Sequence, residues 1–306
     1  MLPSLSDRQK SKLIFASIGI ALLVCIWLLA QSLDRKFDPN YGELVSWDRS
    51  VVLKSPMPEA RVKEPLGGWQ LATKLWVKNT AVYWYRMAGA DEQTLGRFAL
   101  PDDQRRAKMV SDYRQVIKSS DRENGILPPT HLLSKRVSAL VSPHREELGI
   151  PLSVKIYDAP EKNAVSAPDG SIRFYRGILE QLSDDEIRVL FGHELGHIVR
   201  AHTEEQNAWD TNLDLFFFKL SEGTRSRITT PVKNMVSKDH ELKADDFSFN
   251  WAKYHRYDLP PHYTVFGKLA DIPTEPGYPS IDERAKRIRR KLDWENFCRR
   301  FSKGTR

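Results

Sequence analysis

The stretch FGHELGHIVRAH, Phe191 to His202, places two histidines four residues apart, with a glutamate directly after the first. On an α-helix positions i and i+4 share a face, so His193 and His197 can reach one ion. Phe191, Leu195 and Ile198 form a stripe on nearly the opposite face, able to bury the helix while the histidines look into a cleft. Glu194 lies just off the histidine face, where a carboxylate can reach a water without being a ligand. Neutral imidazole is a good zinc ligand, and a catalytic zinc takes three protein ligands and keeps one open position. The competing reading is two ordinary helix histidines, since His-Glu-x-x-His arises by chance on the order of once per hundred chains of this length. Context favours the metal: Ser183, followed three residues later by Glu186, is a capping box that starts a helix just ahead of the motif.

A third ligand has two common helical solutions. A histidine in the pattern HExxHxxGxxH is not available, because no glycine stands at the required place. His202, five residues from His197, would be rotated off the ligand face of a continuing helix. The other solution is a glutamate on a later helix with an aspartate four residues on. HELKADDFSFNWAKYH supplies it: Glu241 as ligand, and Asp245 to accept the ring N–H of His193 and fix its tautomer. His240 and Asp246 read as solvated neighbours.

Around these segments the chain reads as helical from Pro101. DDQRRAKMVSDYRQVIKSS and THLLSKRVSALVSPHREELG give two helices, the second with Thr130 as its cap. PLSVKIYDAP alternates and is rich in β-branched residues, as a strand is. APDGSIRFYRG gives a turn and a second strand, Ser171 to Tyr175. Further helices are expected from Val232 to His255 and from Ile281 to Leu292. The expected fold is α+β, mainly α-helical, with a small sheet edging a cleft.

The N-terminal third is of different composition. Residues 13–33 carry no charge, and about 20 apolar residues span a hydrocarbon core. Leu28 at the −3 position to Ala30 spoils a signal-peptidase site, so a retained single-pass anchor is expected in preference to a cleaved signal peptide. Arg8, Lys10 and Lys12 before the run lean toward an N-terminus inside and the bulk of the chain outside, the periplasmic side in a bacterium. The expected organisation is a tail at 1–12, the anchor at 13–33 in the lipid bilayer, a Trp- and Pro-rich spacer or small subdomain at 34–100, and a catalytic domain at 101–306. Net charge is +7, but the basic residues are scattered and no nucleic-acid-binding signature is present, so they read as a solvated surface. Cys25 and Cys298 cannot build a cysteine metal cluster, which leaves His, Asp and Glu as ligands.

Together, Asn163-Ala164, APDGSIRFYRGILEQL, SDDEIRVLFGHELGH, ELKADDF and GYPSIDERAKRIRRKL make the region from 130 to 292 resemble the gluzincin metallopeptidases that include HtpX, the CaaX prenyl endopeptidases and the BepA-like proteases. The resemblance implies a zincin-like domain with one zinc on His193, His197 and Glu241, and Glu194 as catalytic base. It implies protein or peptide substrates. Two departures stand out. Tyr278 occupies the place before proline where the family carries a histidine, and the multi-span membrane helices of HtpX and the prenyl proteases are absent. A tyrosine hydroxyl can donate to a developing oxyanion; Arg284 and His262 are the other candidate donors. Substrate contacts are expected at Asn163 and Ala164 and along the strand containing Ile172 and Phe174, by main-chain pairing. The reading is a membrane-anchored zinc endopeptidase of protein quality control or processing. The alternative is a membrane-tethered binding or assembly factor with a vestigial zinc site.

Overall fold

A computed structural model describes residues 80–99, 102–144, 151–274 and 276–303. The tail, the expected anchor at 13–33 and most of the spacer lie outside the described residues. Among the described residues no helix is long and apolar enough to cross a membrane. The described chain falls into two units. The smaller, 80–99, is helical at 80–87 and over Glu92–Ala99, with Arg86 forked onto Glu92 at 2.8 and 3.1 Å.

The larger unit begins with α1, Asp102–Glu123, which stops ahead of Gly125 at φ +67. Helix α2, Leu132–Val141, is capped by the His131 side chain rather than by Thr130, and a 3-10 turn through Pro143 follows it. Strands β1 (Ser153–Tyr157), β2 (Ala164–Ser166) and β3 (Ser171–Tyr175) form one sheet in the order β1-β3-β2. β1 pairs parallel to β3, and β2 antiparallel to it. In the turn before β3, Gly170 has φ +88 and Asp169 accepts from the Ser171 amide at 3.0 Å.

This order corrects one expectation. β3 is central, with a strand on each side, so its backbone groups are already spent on β1 and β2. Ile172 and Phe174 are fully buried, their side chains enclosed in the core. Arg173 between them is also buried and forks onto Asp121 of α1 at 2.7 and 3.2 Å. Of the two edge strands it is β2 that packs on α4 (Asp184–Val199). Tyr175 N donates to Asn163 O, and Ala167 N donates to Ser171 O. By strand alternation Ala164 and Ser166 therefore turn their backbone groups away from β3.

Five helices complete the unit: the short α3 (Arg176–Leu179) before α4, then α5 (His202–Phe216), α6 (Glu222–Tyr254), α7 (Pro261–Lys268) and α8 (Ile281–Lys303). α6 starts before the expected Val232 and runs through Pro231, and α8 continues past Leu292. α4 packs against α2, β2, α6 and α7, so burial extends around most of it rather than along one stripe. Its capping box forms as expected: Ser183 Oγ accepts from the Glu186 amide and the Glu186 carboxylate accepts from the Ser183 amide. Glu186 also takes Thr264 and Lys268 of α7, fastening the α4 N-terminus to that helix.

Candidate metal centre

α4 and α6 approach closely because α4 carries glycine where they touch. A Cβ on Gly192 would lie 2.8 Å from Ser248 Oγ, and one on Gly196 3.1 Å from Ala244 Cα. Glycine inside a helix costs about 1 kcal/mol relative to alanine, so two of them, one directly before each histidine, mark a packing demand. The spacing of Gly192 and Gly196 was a readable signal for the neighbouring helix, and reading the histidines alone missed it.

At this crossing His193, His197 and Glu241 each bring one ligand atom to within 4.8 Å of the others. Glu241 Oε2 lies 3.4 Å from His193 Nε2, and its Oε1 3.3 Å from His197 Nε2; the two Nε2 atoms are 3.1 Å apart. Glu194, beside His193 on α4, is buried and close enough for its charge to act on Arg284. Asp245, one turn beyond Glu241, holds His193 Nδ1 at 3.0 Å. Arg284 of α8 forks onto Asp245 at 2.9 and 2.7 Å, and its third nitrogen reaches Glu241 at 3.2 Å.

The electrostatics fit a cation. Burial opposes charge at His193, but its hydrogen bonds to Asp245 and Glu241 outweigh burial and raise the ring to about 10. Burial likewise opposes ionisation of Glu241, yet the two histidines and Arg284 hold it well below its ordinary value. Against the same burial, Arg284 and His193 bring Asp245 down to about 2. A pocket of carboxylates that stabilises positive charge on a buried imidazole is equally suited to a metal, with two nitrogens and one oxygen as its donor set.

Behind His197 stands His202, Nδ1 to Nδ1 at 3.0 Å. His202 is off the ligand face, as expected; α4 ends and Ala201, at φ +56, turns the chain back so that His202 meets the outer nitrogen of His197. An alanine in the left-handed region gives no sequence signal, so this contact was not legible. Burial, then the neighbouring His197 and His240, keep His202 far below its ordinary value and therefore neutral.

Two neighbours expected to be solvated are buried. Asp246 is held by Arg287 and Lys291 of α8, and His240 reaches Glu205 of α5 at 3.2 Å. His262 is 2% exposed, with its ring nitrogens against Ser248 Oγ and Leu259 O. Arg284 has its nitrogens committed to Asp245 and Glu241 and acts as a tether. Tyr278 is 45% exposed in the loop before α8. That loop is pinned at Gly277, φ +96, where a Cβ would lie 2.6 Å from the Asn234 side chain of α6.

The sequence matches Peptidase family M48 over residues 132–292, just over half of the chain. It is 26% identical over 215 residues to the Metalloprotease LoiP of Escherichia coli (strain K12), covering 64% of this chain and 83% of that protein. It is 25% identical over 204 residues to the Metalloprotease YcaL of the same organism, covering 61% and 80%. Over 130 residues it is 28% identical to the Mitochondrial metalloendopeptidase OMA1 of Arabidopsis thaliana, covering 40% of this chain and 27% of that protein.

Proposed function

The chain belongs to peptidase family M48 and is a metalloendopeptidase acting on protein or peptide substrates, and from that premise we propose that its metal is zinc, held by His193, His197 and Glu241, with Glu194 as the catalytic base. The observation that carries the assignment is the convergence of those three donors beside a buried glutamate. When bound, the metal supplies Lewis acidity toward a water and the scissile carbonyl. Glu194 takes the water's proton and passes it to the leaving amine. Asp245 keeps His193 Nε2 turned to the centre, and Arg284 keeps Asp245 in place.

The substrate lies extended along the free edge of β2, pairing with the outward carbonyl of Ala164 and the outward backbone groups of Ser166, while the Ala164 amide donates to Asn163 Oδ1 at 2.8 Å. Main-chain pairing is tolerant of sequence, which suits flexible or misfolded segments and a quality-control or processing role. Tyr278 donates to the carbonyl oxygen as negative charge builds there, supported by the pinned loop at Gly277 and by the commitment of Arg284 elsewhere. The 13–33 run anchors the protein in a bilayer, N-terminus inside and the catalytic domain outside.

Metal analysis of the purified chain should give about one zinc, as a single three-ligand site does. Casein cleavage should vanish in Glu194→Gln with zinc retained. Cleavage at the wild-type rate by that variant, or undiminished zinc in the His193→Ala/His197→Ala double variant, would overturn the assignment.

A further inference from the structure

The two histidines of the centre each have an inner nitrogen facing Glu241 and an outer nitrogen facing away. The outer nitrogen of His193 meets a carboxylate. That of His197 meets another imidazole, His202, at 3.0 Å. Two imidazole nitrogens at that distance need one proton between them: one donates and the other accepts. If His197 offers Nε2 to a metal, that atom is bare and the ring's proton sits on Nδ1. His202 Nδ1 is then the acceptor, and the proton of His202 sits on its own Nε2.

That Nε2 is buried and has no hydrogen-bond partner. A buried N–H without an acceptor disfavours the fold. The chain also turns into His202 through Ala201 at φ +56, a conformation in which a Cβ is unfavourable. The unpartnered Nε2 thus lies directly after the left-handed turn that ends α4. The ring is held by other means. It stacks on His240 with centroids 4.3 Å apart and planes 9° apart, and His240 Nε2 in turn reaches Glu205 at 3.2 Å.

We propose that His202 is the positioning residue for His197: its Nδ1 accepts the His197 Nδ1–H and so keeps the His197 Nε2 lone pair on the metal. The inference rests on reading His197 as a metal donor through Nε2. His240 and Glu205 act through His202, by keeping its plane fixed.

The test is an equilibrium competition for zinc between the full chain and a chromophoric chelator, read beside the melting temperature of the chelated protein. His202→Phe keeps a ring to stack on His240 and removes the acceptor. It should weaken zinc binding about 10–100-fold, as loss of an outer partner does, with the melting temperature unchanged or raised. His202→Asn places a carbonyl oxygen where Nδ1 was and should return affinity to within a few-fold of wild type. His202→Leu, without acceptor or ring, serves in place of His202→Phe if that variant does not fold. Wild-type affinity in the acceptor-free variant overturns the proposal, and so does an equal loss in His202→Asn, which would leave only shape. His197→Ala separates this from the underlying reading. If His197→Ala still binds zinc fully, the metal assignment fails; if it loses zinc while His202→Phe does not, only the role of His202 fails.

Discussion

His193 and His197 stand four residues apart on one helix and are backed in opposite ways. Behind His193 lie formal charges: Asp245 on its ring, Arg284 on Asp245, and Glu241 closing the ring of contacts. Behind His197 lies His202, which burial keeps neutral, stacked on the ring of His240. A neutral histidine recurs on α7, where His262 meets Ser248 of α6. The difference teaches what each side needs. A charged partner needs its counter-charge, so the His193 side recruits a third helix, α8, to bring Arg284. A neutral partner needs only enclosure, and the α4–α5 turn provides it. The charged side should therefore be the more fragile to substitution and the neutral side the more sensitive to mild acid.

Asp245→Ala should produce the largest effect. It leaves Arg284 buried beside an incomplete set of carboxylates, and breaking a buried pair by removing one partner costs about 3–5 kcal/mol. Urea unfolding of the chelated protein should show that loss. A cost under 1 kcal/mol would mean that Arg284 relaxes to solvent and that the two sides do not differ in kind.

Acid separates them next. Burial, partly countered by hydrogen bonds to Ser248 and Leu259, lowers His262 to about 4. In the unfolded chain it titrates near 6.5. Its contribution is therefore full above pH 6.5 and is lost as pH falls toward 4, to a limit of roughly 3 kcal/mol at about 1.36 kcal/mol per unit. His202 shifts in the same direction. Asp245, lowered to about 2, has its contribution in full above its ordinary value near 3.8 and loses it only as pH falls through about 2. Unfolding free energy of the chelated protein, measured from pH 7 to 4, should fall less steeply in His262→Gln than in wild type. Identical profiles would place the acid sensitivity elsewhere.

How far the centre was legible follows from where each signal lives. His193, His197, Glu241 and Asp245 are pairs within single helices, so a period of 3.6 was enough to align them. The Ser183–Glu186 box is equally local, and so was the β3 segment itself. That β3 is central and β2 an edge depends on pairing across the sheet, which alternation along one strand does not carry. Asp246 and His240 looked solvated because their partners, Arg287, Lys291 and Glu205, come from other helices. That His202 backs His197 depends on the turn at Ala201, which no residue pattern signals.

Gly196→Ala tests both sides at once, since both hang on the α4–α6 approach. The added Cβ would meet Ala244 Cα at 3.1 Å and Ala244 O at 3.2 Å, backbone that gives way only if the helices part. Overpacking of this sort costs about 1–3 kcal/mol, and zinc affinity should fall with it as Glu241 moves off the histidines. Gly267→Ala in α7, where nothing lies within 4 Å, is the control and should stabilise by up to about 1 kcal/mol. Equal effects from the two would remove the close approach as the reason for glycine in the motif.

Ser183→Ala should have the smallest effect, and it should leave the comparison intact. The hydroxyl caps the α4 N-terminus by accepting the Glu186 amide, and losing such a cap costs about 1 kcal/mol. The loss is contained because Glu186 keeps its other partners: the Ser183 backbone amide, Thr264 and Lys268 all hold the carboxylate without the serine side chain. The start of the helix therefore frays little, and His193, more than two turns further on, keeps its place between Glu241 and Asp245. Thermal unfolding should show the small deficit, while zinc competition should give the wild-type affinity. A tenfold or greater loss of zinc affinity in Ser183→Ala would show that the helix moves as a rigid rod from its cap. Both histidines would then be positioned by the α4 N-terminus, and the contrast between their partners would matter less than the geometry of the helix that carries them.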